Sequence, residues 1–147
     1  MAVVKKSVLI ERSSQQMFDL VDRVEDYPQF LPWCCEARCE FRDERRTVAT
    51  LHINYRSVRS HFTTANDKEA PWSMKMTLVD GPFRRLDGLW RFKPLNAHAC
   101  KIEFQLSYEF SSRMFEKVIG PVFSQIANTF VEAFVKRANE VHGTSNA

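Results

Sequence analysis

Four histidines (His52, His61, His98, His142), four cysteines (Cys34, Cys35, Cys39, Cys100) and 18 acidic residues are the groups in this chain suited to catalysis or metal binding. Nucleophilic catalysis needs a nucleophile, a base within reach and a group that stabilises developing charge, and no spacing here assembles the three. His52 falls on the polar side of an alternating run and His142 in the last turn of a helical one, so both are expected to face solvent. Asp80 and Asp87 flank a turn, where a short carboxylate is expected to bond its own backbone. The cysteines form no C-x-x-C pair and have no histidine at finger spacing, so they read as buried, reduced thiols. The expectation is a protein that is not an enzyme, with no catalytic residue, no metal and no cofactor of its own.

What the chain has in excess is aromatic surface: twelve Phe, three Trp and three Tyr, joined by five Met. Such a supply fills a core or lines an apolar cavity. Charge decides less. Twenty-one Lys plus Arg against 18 Asp plus Glu leave +3, which permits contact with phosphate or anionic lipid without requiring it. Arg38, Arg42, Arg45, Arg46, Arg56 and Arg59 cluster in one region but are interleaved with Glu36, Glu40, Asp43 and Glu44. They read as a solvated, ion-paired face. No aromatic platform for bases accompanies them, and no DNA partner is expected.

The elements that must position these groups follow from periodicity. The chain has 147 residues, 44% of them hydrophobic, which suits one domain over residues 1–143 and a disordered tail over 144–147. No run approaches the ~18 apolar residues of a membrane span, and the start lacks a signal peptide's basic-then-apolar order, so a cytoplasmic protein is expected. Val4, Val8 and Ile10 alternate as a strand whose inner face Lys6 interrupts. Ser13 and Gln16 form a capping-box signature, and Met17, Leu20, Val21 and Val24 then recur at helical spacing. Pro28 and Pro32 allow only a short helical turn next.

From Cys34 onward short alternating runs predict antiparallel strands. Ala49, Leu51, Ile53 and Tyr55 share one inner face, Trp72, Met74, Met76 and Leu78 another, and Leu86, Gly88, Trp90 and Phe92 a third. Gly88 between bulky neighbours predicts a bulge or a close approach. Asp80-Gly81-Pro82-Phe83 is a turn, and Pro94 is expected to end the strand after it. Ile102, Phe104, Leu106, Tyr108 and Phe110 alternate strictly with polar residues. Beyond Arg113 the period becomes helical, with Phe115, Ile119, Val122, Ile126, Phe130, Phe134 and Val141 on one stripe, a kink or break at Gly120-Pro121 and a stop at Gly143. One long helix laid over an antiparallel sheet is the α+β arrangement that buries both apolar faces.

Several stretches resemble a known family. They are Asp26-Tyr27-Pro28-Gln29-Phe30-Leu31-Pro32-Trp33-Cys34, Phe62-Thr63-Thr64, Leu78-Val79-Asp80-Gly81-Pro82-Phe83 with Leu86, Gly88, Trp90 and Phe92, and Ala133-Phe134 with Arg137-Ala138 and Val141. Together they resemble the coenzyme Q-binding START-domain family, whose bacterial members include RatA-type ribosome association toxins and whose wider grouping is polyketide cyclase-like. The chain departs from that pattern at Ser57-Val58, where relatives tend to carry a glycine.

The resemblance implies a helix-grip (START / Bet v 1-like) fold: a curved seven-stranded antiparallel sheet wrapped around a long C-terminal helix, with two short helices after strand 1. It implies a cavity between sheet and helix for ubiquinone or a related lipid, carried in support of respiration. The alternative it implies is a toxin that binds the large ribosomal subunit and blocks subunit association. Trp33, Tyr55, Met74, Met76, Trp90, Phe104, Tyr108, Phe123, Ile126 and Phe130 are the candidate cavity lining. Phe30, Leu31, Gly120 and Pro121 are the candidate mouth, through which a membrane-dissolved ligand would enter during transient contact with the inner membrane face.

Overall fold

The alternating runs become strands and the helical stripes become helices in this order: β1 (Ala2–Ile10), α1 (Ser14–Asp22), a 3₁₀ helix (Val24–Gln29), β2 (Cys34–Arg42), β3 (Arg46–Tyr55), β4 (Val58–Glu69), β5 (Ser73–Asp80), β6 (Phe83–Asn96), β7 (Ala99–Phe110) and α2 (Arg113–His142). The computed structural model describes residues 1–143; the expected tail, 144–147, lies outside the described residues. Among the described residues the seven strands form one antiparallel sheet, ordered β1-β7-β6-β5-β4-β3-β2. The chain meanders from β2 to β7, and β1 pairs with β7 at the far edge. Hence the link from β1 to β2 crosses the whole sheet, and α1 with the 3₁₀ helix makes that crossing.

α1 begins as expected. Ser13 Oγ accepts from the Gln16 N–H at 3.1 Å and Gln16 Oε1 accepts from the Ser13 N–H at 2.9 Å, so two of the donors left over at the helix start are met. α2 is capped by Ser112, which accepts from the Phe115 N–H, and stops at Gly143 with φ of 77°. It is the one described helix long and apolar enough to cross a membrane, but Ile119, Val122, Phe123, Ile126, Val131 and Phe134 are buried in the protein's own core. Lys6, the interruption in β1, reaches Glu132 of α2 at 3.8 Å.

Several expectations are corrected. Of the kink or break expected at Gly120-Pro121, the break does not occur: α2 is one helix from Arg113 to His142. Pro121 deprives the Lys117 carbonyl of its partner, but Lys117 is exposed and water can serve it. The buried stripe is shorter than the sequence stripe, since Phe115 and Val141 are 41% and 51% exposed. β6 does not end at Pro94 but continues to Asn96. Its pairing with β5 stops at Ser73↔Arg91, so Pro94 lies where β6 has one neighbour in place of two, and the ladder shifts register between Pro94 and Asn96. Trp72 precedes β5 and is exposed rather than inward. Asp80 and Asp87 make no bond to their own turn; they face His61 at 3.6 Å and Arg85 at 3.5 Å.

The β3–β4 hairpin turns on two residues, Arg56 and Ser57, with φ of 50° and 67°, between the paired Tyr55 and Val58. That left-handed pair suits the twist of a tight hairpin but favours glycine, at the position where the chain departs from the family pattern. Ser57→Gly should therefore raise stability by about 0.5–1 kcal/mol, seen as a higher urea midpoint. An unchanged or lower midpoint would show that the turn carries no strain.

Three of the six clustered arginines, Arg38, Arg42 and Arg46, are ion-paired among the described residues, two of them with acids outside the cluster. Arg38 meets Glu36 at 3.5 Å, but Arg46 meets Asp67 of β4 at 2.9 Å. Asp43 accepts from the backbone N–H groups of Arg45 and Arg46. Arg42 grips Glu25 of the 3₁₀ helix with two bonds, 2.6 and 2.8 Å. The Arg42 guanidinium holds the Glu25 carboxyl down at about 2. Because the folded value lies below the unfolded one of about 4.3, the pair's contribution is full above that range and is lost as pH falls toward 2. Glu25→Gln should lower stability to urea at pH 7 by about 1 kcal/mol or less since the pair is half-exposed, and the difference should shrink as pH falls through about 2. A gap independent of pH would exclude the ion pair as its cause.

Candidate functional site

α2 packs on β7, β4 and β1, and the space beneath it follows from one row of the sheet. Asn66, Met76, Gly88 and Leu106 are successive cross-strand partners on β4, β5, β6 and β7. Gly88 contributes no side chain, and Met76 folds over it so closely that a Cβ at Gly88 would collide with Met76 Cε. The close approach expected at Gly88 is therefore present, without a bulge. Over this row remains a cavity of about 50 Å³, room for one or two waters at about 30 Å³ each. Phe123, Ile126, Ala127 and Phe130 of α2 roof it, and Val24, Tyr27 and Trp33 close one end.

Six of the ten candidate lining residues meet there: Trp33, Met76, Phe104, Phe123, Ile126 and Phe130. Tyr55 instead lines an outer groove of about 550 Å³, within the range of ligand sites. Phe30, Leu31, Trp33 and Tyr55 form one flank of that groove, Val122, Gln125, Ile126 and Ala133 of α2 the other, and Lys136, Arg137 and Glu140 lie at its rim. Trp33 and Ile126 line both spaces, so these two side chains form the wall between cavity and groove. Met74, Trp90 and Tyr108 are buried in packed core beside the cavity rather than in its wall. Of the expected mouth, Phe30 and Leu31 line the groove, but Gly120 and Pro121 line a separate hollow against Tyr108 and Phe110. The four do not form one opening.

Polar residues that the sequence reading passed over lie on the inner face of β4. Phe62, Thr64, Asn66 and Lys68 all point inward and are buried. Thr64 and Asn66 line the cavity and are bonded to each other, Thr64 Oγ1 to Asn66 Oδ1, at 2.8 Å. Lys68 is neutralised by Asp22 at the end of α1, 3.1 Å away, and Asp22 also accepts from the buried Thr47 hydroxyl at 2.8 Å. The signal was present as period-two spacing, but an apolarity test discards a strand whose inner face is polar.

The outer face holds the histidines. His52 and His61 stack with ring centroids 5.6 Å apart, His52 lies 3.4 Å from Glu36 and His61 3.6 Å from Asp80. Among the described residues no group of three or more His, Cys, Asp or Glu is placed to hold a metal. Cys34 and Cys100 are buried, Cys39 is half-buried and Cys35 is exposed; burial pushes the Cys34 thiol up to about 12, which keeps it protonated and inert.

A seven-stranded antiparallel sheet closed by one long C-terminal helix over an aromatic-lined cavity is the helix-grip class of fold. The chain belongs to the family described as polyketide cyclase / dehydrase and lipid transport, which matches residues 10–135. The ribosome association toxin RatA of Vibrio cholerae is 41% identical over 143 residues, 97% of this chain and 99% of that protein. The mitochondrial coenzyme Q-binding protein COQ10 homolog B of Xenopus laevis is 27% identical over 94% of this chain and 58% of its own length. Among solved structures, the Zhui aromatase/cyclase from Streptomyces sp. R1128 superposes with a TM-score of 0.78 at 14% identity, covering 98% of each chain; that likeness concerns the fold.

Proposed function

We propose that the chain binds an apolar ligand, a prenylated quinone or related lipid, between the sheet and α2, and hands it on unchanged in support of respiratory electron transport. The observation that carries this reading is the continuity of apolar walls from groove to cavity through Trp33 and Ile126. The 50 Å³ cavity is smaller than such a ligand, so binding requires Met76 to leave its place over Gly88. Methionine is the side chain best suited to that move, having three rotatable bonds. An isoprenoid tail gains about 0.8 kcal/mol per buried methylene, so the groove needs little polar chemistry to hold it. The name of the Xenopus laevis relative supports the ligand class. Organic extraction of purified protein followed by mass spectrometry tests the reading. A co-purifying quinone or lipid is expected; no extract, together with no quenching of tryptophan fluorescence by added ubiquinone, would overturn it.

A second reading is favoured by the Vibrio cholerae relative, whose name describes ribosome association. Here the protein docks on the large ribosomal subunit and blocks joining of the small one. Excess protein in a sucrose gradient should then travel with large subunits and deplete joined ribosomes. Normal joining, with the protein left at the top of the gradient, would dismiss this role.

A further inference from the structure

We propose that the floor of the cavity is a hydrogen-bonding pole that takes the ligand's head inward: a neutral ring bearing acceptor oxygens sits over Gly88 against Asn66, while its apolar chain leaves past Trp33 and Ile126. This rests on the apolar-ligand reading and adds to it the chemistry and the orientation of the head.

Asn66 is 5% exposed and lines the cavity. Its one side-chain bond, to Thr64 Oγ1, uses Oδ1, so among the described residues the Nδ2 amide has no partner. A buried amide with an unmet hydrogen bond is costly where Leu would pack, and a ligand oxygen in the cavity meets it. A second orphan donor lies close by. Trp90 is fully buried and its Nε1–H has no acceptor; its ring lies 4.6 Å from Phe104 and 5.8 Å from Phe130, centroid to centroid, and both of those line the cavity.

The free donor of Asn66 on an apolar wall selects an acceptor, and the unmet Trp90 N–H lies in the packed core behind that wall. The nearest buried cation, Lys68, is already neutralised by Asp22, which disfavours a phosphate or carboxylate head. The shape fits a ring: Gly88 leaves a notch between Leu86 and Trp90 on the same face of β6, into which the end of Met76 reaches, with Leu106 at its side.

Titration calorimetry with a hexyl-substituted benzoquinone and with hexylbenzene, which share a tail and differ in the oxygens, tests the proposal. Wild type should bind the quinone at least about tenfold more tightly. Asn66→Leu should abolish that preference while leaving hexylbenzene affinity unchanged or raised. Gly88→Ala keeps the polar pair but drives Met76 into the cavity, and should weaken the quinone about tenfold; thermal melts establish that both variants are folded. If wild type binds both ligands equally, or if folded Asn66→Leu keeps the preference, the head does not lie at Asn66 and the apolar-ligand reading stands without it. Should wild type bind neither ligand, that reading falls as well.

Discussion

Phe134→Ala is expected to lower the unfolding free energy by about 3–5 kcal/mol. Phe134 is fully buried on α2, and four rings surround it: Phe130 at 5.0 Å, Tyr27 and Phe30 at 5.2 Å, and Trp90 at 5.4 Å, centroid to centroid. Those partners come from three places, α2 itself, the 3₁₀ segment and β6, so collapse of one neighbour into the vacancy cannot fill it without dragging another out of contact. Phe134→Leu keeps most of the volume and should cost less than about 1.5 kcal/mol. Urea unfolding of the two variants measures the difference. A loss under about 1 kcal/mol for the alanine variant would mean that the cluster repacks freely, and that the 3₁₀ segment is not held to α2 by this contact.

The elements visible in the sequence are those whose local chemistry and tertiary role agree. The capping box at Ser13 and Gln16 formed as read, because the bonds it needs lie within one turn. β7 formed as read, because Cys100, Ile102, Phe104, Leu106 and Tyr108 all face the core between two neighbouring strands. The misreadings have a common cause in context that no local window contains. Pro94 ends a strand only when that strand has partners on both sides, and here β5 has already stopped. Gly120-Pro121 does not end α2, because the carbonyl that Pro121 leaves without a partner belongs to Lys117, which is in solvent where water can serve it.

The candidate site was half legible for a related reason. Aromatic and Met positions at inward spacing found six of the cavity residues. Trp90 and Tyr108 have the same inward spacing, but neighbouring rings cover them, Phe92 stacking on Trp90 at 5.7 Å and Phe123 lying 4.8 Å from Tyr108. The difference between wall and core is set by the missing side chain at Gly88 and the reach of Met76, which only the cross-strand register reveals. Thr64 and Asn66 were invisible to a search for apolar faces, and Tyr27 was hidden in a Pro-bounded turn whose burial depends on α2.

Asp22→Ala is the other change expected to cost about 3–5 kcal/mol. Asp22 ends α1, and its carboxylate receives Lys68 Nζ at 3.1 Å, the Thr47 hydroxyl at 2.8 Å and, at 3.7 Å, the Arg42 guanidinium. The Lys68 side chain is only 4% exposed, so losing its counter-ion leaves a charge with neither partner nor water. That penalty, rather than the attraction of the pair itself, is what the single variant measures. Lys68→Met in the same chain removes the stranded charge and should restore most of the loss, leaving the unmet Thr47 hydroxyl as the residual cost. The pair also ties the end of α1 to β3 and β4, just ahead of Val24 and Tyr27, which close the cavity. Asp22→Ala should accordingly loosen that end before the protein unfolds, so that amide exchange quickens over residues 22–33 while β6 and β7 stay protected. Equal losses in the single and double variants, with exchange unchanged over those residues, would show that the ion pair neither carries the penalty nor holds the cavity's end in place.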